Sequence, residues 1–176
     1  MTPVQIAVEE WNRVVAEAPG TNWRRIREYM NACSAPGDAY EHDGDAQWCG
    51  FFVGFCFVQA GFSAALLRQK SPPELGGIGS TYRLHCLARL DGSARMVARF
   101  EDLQAGDVMS VGRAGKAAYG EHVVLATGQP VGDRIATIEG NAYGTRGDGS
   151  YGQGVIRRDR VAVPTVSAKG FRFGVR

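Results

Sequence analysis

The pattern of hydrophobic and polar residues changes about halfway along the chain. In the first part, apolar side chains recur at intervals of three and four residues, which is the spacing of an amphipathic helix. One stripe follows Thr2 and Pro3, a preferred N-cap and first-turn pair, and a second follows Asn22, another favourable cap. These patterns predict two helices that pack on the rest of the domain. The stripes consist of Val4, Ala7, Trp11, Val14 and Val15 before Gly20, and of Trp23, Ile26, Tyr29, Met30 and Cys33.

The most apolar stretch of the chain is 48–61. Apolar or small residues surround the whole circumference of a helix drawn through it, so we expect this helix to be buried in the middle of the domain. Asp45 is the predicted N-cap, and Gly61 is the predicted left-handed terminator. The stretch is too short to cross a bilayer, which needs roughly 20 apolar residues.

The second half alternates short β-type runs with glycine-rich turns. A short helix after Ser80 is predicted to precede them. Helices followed by strands indicate an α+β domain with an antiparallel sheet. At 176 residues, the chain suits one domain, so we expect 1–176 to fold together with 1–40 as a helical extension packed on the rest. The predicted strands are 107–111, 122–127, 134–139, 154–158 and 171–175.

Charge and cysteine content narrow the classes of function. A formal net charge of +2 does not indicate a nucleic-acid-binding protein. Basic residues do collect after Asn141; we interpret them as a solvated face, with binding to an anionic polymer as the alternative. The four cysteines lack zinc-type spacing and are few for a disulfide scaffold, so we expect mostly free thiols, no metal and no cofactor. The basic residues are Arg146, Arg157, Arg158, Arg160, Lys169, Arg172 and Arg176.

Cys49 stands at the start of the predicted central helix. Unpaired backbone N–H groups and the helix dipole favour an anion there, and so lower the pKa of a thiol. The alternative is a buried cysteine that packs as a small hydrophobic residue. A catalytic cysteine usually needs a histidine to take its proton and a polar group to orient that imidazole. Of the three histidines, His42 lies in an acidic loop, His85 in a leucine-rich segment, and His122 at the start of a predicted strand.

His122 has a candidate partner on the next strand. If the hairpin closes symmetrically between Thr127 and Arg134, His122 lies directly opposite Glu139, with Cβ atoms roughly 5 Å apart. Side-chain alternation then puts Asn141 on the same face, provided that no bulge intervenes. A slip of one residue would send the histidine and the glutamate to opposite faces. The alternative is an ordinary His–Glu pair on the surface.

Four segments in this order resemble the CHAP group of cysteine, histidine-dependent amidohydrolase/peptidase domains, which are relatives of the NlpC-type peptidases. With a closing GFRF at 170–173, the resemblance extends over nearly the whole chain after about residue 40. The segments are DAQWCGFFV at 45–53, LQAGDV at 103–108, EHVV at 121–124 and IEGN at 138–141.

The resemblance implies a papain-like fold, in which the cysteine-bearing helix packs on a C-terminal antiparallel sheet, and hydrolysis of amide bonds in the peptide part of bacterial peptidoglycan. It implies that Cys49 is the nucleophile, that His122 is the general base and later the general acid, and that Glu139 and Asn141 orient the imidazole. The pair at 106–107 matches a strand-entry turn. The chain departs from members that hold calcium before the cysteine, because Tyr40, His42 and Gly44 stand where ligands would be needed, and Phe51 stands where an acid would close that site.

Other residues are weaker candidates for the site. The backbone N–H of Cys49 is a natural oxyanion donor, and Gln47 or Tyr40 is the predicted second donor. Trp48 is predicted either to wall the cleft or to be a buried aromatic without substrate contact. The glycine-rich segment 142–152 is expected to border the cleft and influence substrate preference, with a floppy surface loop as the alternative.

Two other functions fit the same residues. One is a papain-like transferase or protein deamidase toxin, and the other is a catalytically idle glycan- or wall-binding module. The N-terminus has no basic segment followed by an apolar stretch, so we expect synthesis in the cytoplasm without a signal peptide. Action in the periplasm or cell wall then requires release, as for a phage endolysin, or injection, as for a bacteriolytic effector with an immunity or delivery protein. We expect no nucleic-acid partner and no stable membrane insertion.

Overall fold

The computed structural model describes residues 1–16, 23–33, 48–62, 94–97, 99–111, 122–161 and 169–173. The helix predicted after Ser80 lies outside these ranges. Within them the chain forms helices followed by strands, which confirms the predicted α+β class; the first strand was not predicted. The elements are α1 (Pro3–Asn12), α2 (Trp23–Ala32), α3 (Cys49–Gln59), β1 (Ala94–Val97), a short 3-10 helix (Phe100–Asp102), β2 (Val108–Val111), β3 (His122–Ala126), β4 (Arg134–Thr145), β5 (Tyr151–Val161) and β6 (Lys169–Phe173).

Helix α1 begins where its sequence predicts. Thr2 Oγ1 accepts a hydrogen bond from the N–H of Gln5 at 3.2 Å, and Gln5 Oε1 accepts one from the N–H of Thr2 at 2.8 Å. This capping box satisfies two backbone donors at the helix start. The helix ends earlier than expected, because Val14 adopts a φ of 56° and turns the chain away. Ala16 then forms an isolated β-bridge with Gly154 of β5.

Helix α3 is buried from Cys49 to Phe57, as its apolar sequence predicts. Trp48 occupies the N-cap position and makes no side-chain cap hydrogen bond, so the prediction of Asp45 as N-cap is wrong. Asp45 itself lies outside the described ranges. None of the helices in the described part of the chain combines the length and the apolar character needed to cross a membrane.

The end of α3 follows from its terminal glycine. Gly61 has a φ of 90°, and its N–H donates to the carbonyl of Val58 at 3.0 Å. The N–H of Phe62 donates to the carbonyl of Phe57 at 3.1 Å, which completes a Schellman motif. The two phenylalanine rings also pack edge to face, 4.9 Å apart. The predicted left-handed terminator is therefore confirmed.

The strands form one six-stranded sheet in the order β1-β6-β2-β3-β4-β5, and every pairing in it is antiparallel. Helix α3 packs on β3 and β4, and α1 and α2 pack against α3. Tyr29 of α2 contacts three aromatic rings of the segment that begins α3, those of Trp48, Phe52 and Phe55. Leu125 and Ile138 carry this core onto the sheet. The cysteine-bearing helix thus lies between α2 and the sheet, while α1 contacts both α3 and the strands β4 and β5.

The glycine-rich segment 142–152 is not the loop that its composition suggested. It belongs mostly to β4 and β5, with a turn only at 146–150. A Cβ on Gly147 would lie 2.5 Å from the carbonyl oxygen of Trp11, and one on Gly154 would lie 2.2 Å from that of Val15. These glycines allow the end of α1 and the residues after it to lie directly on the hairpin backbone. The alternative of a floppy surface loop is therefore wrong, and a role of this segment in substrate preference stays a prediction.

Candidate active site

Cys49 is the first residue of α3 and is 2 % exposed. Its thiol is hydrogen-bonded to the side chain of His122 and accepts hydrogen bonds from the backbone N–H groups of Val123 and Gly50. Burial raises the pKa of the Cys49 thiol, but the histidine and the two N–H groups together outweigh it and leave the pKa below its ordinary value. The thiolate form is therefore favoured at this helix end.

His122 connects the thiol to a carboxylate. Its Nε2 lies 3.1 Å from Glu139 Oε2, which leaves Nδ1 for Cys49. Burial lowers the pKa of His122, but the contacts with Cys49 and Glu139 raise it to about 9. The contact thus lowers the pKa of the thiol and raises that of the imidazole, which shifts the pair toward a thiolate beside an imidazolium. Such a pair can attack a carbonyl carbon and then protonate the leaving group.

Glu139 has no exposed surface. Its carboxylate accepts hydrogen bonds from Thr137 Oγ1 at 2.8 Å and from Arg160, whose Nε lies 2.7 Å from Oε1 and whose Nη2 lies 2.6 Å from Oε2. Burial raises the pKa of Glu139, but the hydrogen bonds from His122 and Arg160 and their charges lower it to about 2. The carboxylate is thus ionised wherever the protein is folded near neutral pH.

The predicted register of β3 against β4 is wrong by two residues. Leu125 lies opposite Ile138, whereas symmetric closure would have placed it opposite Ala136. The reason is local: Arg134 forms a bridge with Val131 inside the turn and cannot pair with the end of β3. The connection from β3 to the part of β4 that pairs with it is consequently two residues longer on the β4 side than in a symmetric hairpin.

A shift of two residues keeps every side chain on its own face of the sheet. His122 and Glu139 are therefore diagonal rather than direct neighbours, and their side chains still meet at 3.1 Å. The predicted contact is present although the predicted pairing is not.

Asn141 lies in a β-bulge, which was the condition under which its predicted placement would fail. The pairing of β4 with β5 is irregular between Glu139 and Ala142, and Asn141 has a φ of 58°. Its Oδ1 accepts a hydrogen bond from Gln153 Nε2 at 2.7 Å. The alternation that put Asn141 beside Glu139 thus does not hold, and its role in orienting the imidazole stays a prediction.

The remaining predicted site residues have separate positions. Trp48 is fully buried and its ring centroid lies 6.0 Å from that of Tyr29, which matches the alternative of a buried aromatic. Tyr40 and Gln47 lie outside the described ranges, as do His42 and His85.

Two contacts of Glu139 were missed from the sequence. The two-residue period of a strand places Thr137 on the same face as Glu139, but the hydrogen bond between them was not predicted. Arg160 is one of the basic residues interpreted as a solvated face, and it lies beyond the strand predicted at 154–158 but within β5. It pairs with Ile135 in the ladder, and its side chain extends along that face to the carboxylate. Extending β5 by a few residues would have brought it into consideration.

The other described cysteines differ from Cys49. Cys33 and Cys56 are buried and are not in a disulfide. Burial raises the pKa of Cys56 well above its ordinary value, and the charge of Glu10 adds to the effect. Among the residues that the structure describes, no group of three or more histidine, cysteine or acidic side chains is placed to hold a metal ion.

Comparisons with known proteins give no match: no family model, no curated protein and no solved structure matches this chain.

Proposed function

We propose that the protein is a papain-like cysteine hydrolase that cleaves an amide bond in the peptide part of bacterial peptidoglycan. The observation that carries the proposal is a chain of side-chain contacts from Cys49 to His122 and from His122 to Glu139, with the thiol at the start of a buried helix. These are the parts that acyl transfer needs: a nucleophile, an acid–base group and a group that orients it. The ordered motifs that resemble CHAP domains supply the substrate class.

In the first half of the reaction, the Cys49 thiolate attacks the carbonyl carbon of the amide. The negative charge that develops on the carbonyl oxygen is stabilised by the backbone N–H of Cys49 at the helix N-terminus. The His122 imidazolium donates its proton to the departing nitrogen. The carbon–nitrogen bond then breaks, which releases an amine and leaves a thioester on Cys49.

In the second half, neutral His122 takes a proton from a water molecule, and the resulting hydroxide attacks the thioester carbon. The carbon–sulfur bond breaks, the product leaves as a carboxylic acid, and the thiolate–imidazolium pair is restored. Glu139 stays ionised throughout and holds the imidazole by Nε2. Among these three side chains only that of His122 is appreciably exposed, at 20 %, so the substrate approaches the thiol along the imidazole.

The test is mass spectrometry of purified peptidoglycan after incubation with wild type, Cys49→Ala or Cys56→Ala. Cys56 is a matched control, because it lies on the same buried helix but has a raised thiol pKa. We expect wild type and Cys56→Ala to release fragments with new amino and carboxyl ends, and Cys49→Ala to release none. The fragment masses would name the bond.

If wild type leaves all tested walls unchanged, the peptidoglycan assignment fails, and a transferase or deamidase becomes the better proposal. Wall binding that survives Cys49→Ala, without any thiol-dependent turnover, would instead indicate a binding module.

A further inference from the structure

The Glu139 carboxylate is held by more groups than orienting a histidine requires. We propose that Arg160 is a positioning residue of the site: it clamps Glu139 as an ionised carboxylate and directs Oε2 at His122. This inference rests on the proposed function, since it assigns a role in the same acid–base machinery. Neither the motifs nor the resemblance identifies Arg160.

The first argument is geometric. Arg160 binds both carboxylate oxygens at once, with Nε 2.7 Å from Oε1 and Nη2 2.6 Å from Oε2. A planar guanidinium in this arrangement fixes the plane of the carboxylate. Thr137 adds a hydrogen bond to Oε1, so the oxygen available to His122 is Oε2. Rotation of the carboxylate would break both bonds to the arginine, and a lysine could not reproduce them.

The second argument concerns charge. Four groups follow one another from helix to sheet edge: the Cys49 thiolate on α3, the His122 imidazolium on β3, the Glu139 carboxylate on β4 and the Arg160 guanidinium on β5. Their signs alternate and sum to zero. Without the guanidinium the buried site would carry a net negative charge and would bind protons more tightly.

Loss of the guanidinium should therefore raise the pKa of the Cys49 thiol, whatever the protonation state of Glu139. If Glu139 stays ionised, the added negative charge disfavours the Cys49 thiolate. If Glu139 takes up a proton, His122 loses the carboxylate that stabilises its imidazolium, and the ion pair with the thiolate weakens. In both cases the pKa of the Cys49 thiol rises.

The experiment measures the rate at which iodoacetamide alkylates Cys49 as a function of pH, read at that residue by peptide mass spectrometry. The acid limb of this profile is the pH range in which the alkylation rate rises as the thiol ionises. For Arg160→Met, we expect the acid limb to move to higher pH by about one unit, and alkylation on that limb to slow about tenfold. Arg160→Lys keeps the positive charge and should move the acid limb less. Its peptidoglycan turnover should still fall, because lysine cannot form the two parallel hydrogen bonds that Arg160 donates to the carboxylate. Arg158→Met is the matched control, two residues away on β5, where the guanidinium donates to the Tyr143 carbonyl.

A double-mutant comparison tests whether Arg160 acts through Glu139. In a Glu139→Gln background the Arg160→Met change should shift the limb much less than in wild type. An equal shift in both backgrounds, or no shift in either, would overturn the proposal. If Arg160→Met alone does not fold, other variants test the proposal. The pH profile of Cys49 alkylation in Arg160→Lys is then compared with the profiles of wild type and of Glu139→Gln/Arg160→Met, the double variant that lacks both charges.

The two proposals can fail independently. Alkylation needs no natural substrate, so an inactive wild type with a shifted Arg160→Met profile would refute peptidoglycan hydrolysis alone. An active wild type whose turnover and profile are unchanged by Arg160→Met would refute the role of Arg160 alone.

Discussion

Gly140 lies where the strand that carries Glu139 passes against the helix that carries Cys49. A Cβ added to Gly140 would be 2.5 Å from Cβ of Phe52 and 2.7 Å from Cζ3 of Trp48. Side-chain rotation cannot relieve the first contact, because a Cβ is fixed to its backbone. Ordinary contact begins at 3.4 Å, so Gly140→Ala must push α3 and β4 apart by roughly 0.9 Å.

The cost of this separation can be bounded. Overpacking a core typically costs 1–3 kcal/mol, and a clash with two fully buried rings belongs at the upper end, about 3 kcal/mol. In a chain of this length each kcal/mol lowers the melting temperature by about 2–4 °C, so we expect a decrease of about 6–12 °C. The site should suffer as well, since a displacement of about 1 Å between catalytic groups can cost on the order of 100-fold in rate.

The assay is thermal unfolding followed by circular dichroism, combined with the rate of Cys49 alkylation. Gly128→Ala is the matched control, because a Cβ there would meet nothing within 4 Å. It should stay within about 1 kcal/mol of wild type. If Gly140→Ala melts together with Gly128→Ala and keeps its alkylation rate, then β4 and α3 do not pack as closely as these distances require, and the reasoning is refuted.

Three further outcomes follow from buried charges. Although burial lowers the pKa of His122, its thiolate and carboxylate partners raise it to about 9, so hydrolysis should fall as pH rises through 9; a level rate there would contradict this. The pKa of Glu139 is 4.5 in the unfolded chain and about 2 in the folded protein, so the ionised carboxylate stabilises the fold by about 3 kcal/mol. This stabilisation is complete above pH 4.5 and is lost as pH falls toward 2. Urea titrations should show that Glu139→Gln lacks this loss of stability at low pH. Glu10→Ala should lower the free energy of unfolding by about 3 kcal/mol, because it removes the buried carboxylate that pairs with Arg25. Glu28→Ala removes a half-exposed partner of the same arginine and should cost under about 1 kcal/mol. Equal losses in the two variants would contradict this.

The sequence predicted elements well where their ends carry local signals. The start of α1 depends on Thr2 and Gln5, and the end of α3 depends on Gly61, all within a few residues of the boundary. Prediction from the sequence was wrong where a contact with a distant segment of the chain determines the structure. Gly147 indicated a loop by composition, yet a Cβ there would lie 2.5 Å from the carbonyl oxygen of Trp11, at the end of α1. No local pattern contains that contact.

The site divides along the same line. Cys49 follows from the start of a helix, and Glu139 follows from the two-residue period of a strand, which tolerates an even error in register. Asn141 did not follow, because a bulge removes the period. Arg160 did not follow either, because its reach to Glu139 depends on how far β5 extends and which face it presents.

The two described cysteines of α3 show why position determines reactivity in this site. Cys49 and Cys56 are both buried, at 2 % and 0 % exposure, so desolvation opposes a thiolate at each. At position 56 the nearby charges, above all that of Glu10, add to this opposition, and the pKa of the thiol rises. At position 49 the helix start supplies backbone N–H groups and the sheet supplies His122, and the pKa falls. Burial therefore does not distinguish the two thiols. The contact with His122 does, and we propose that the carboxylate and the guanidinium behind this histidine stabilise its imidazolium by keeping the buried site neutral.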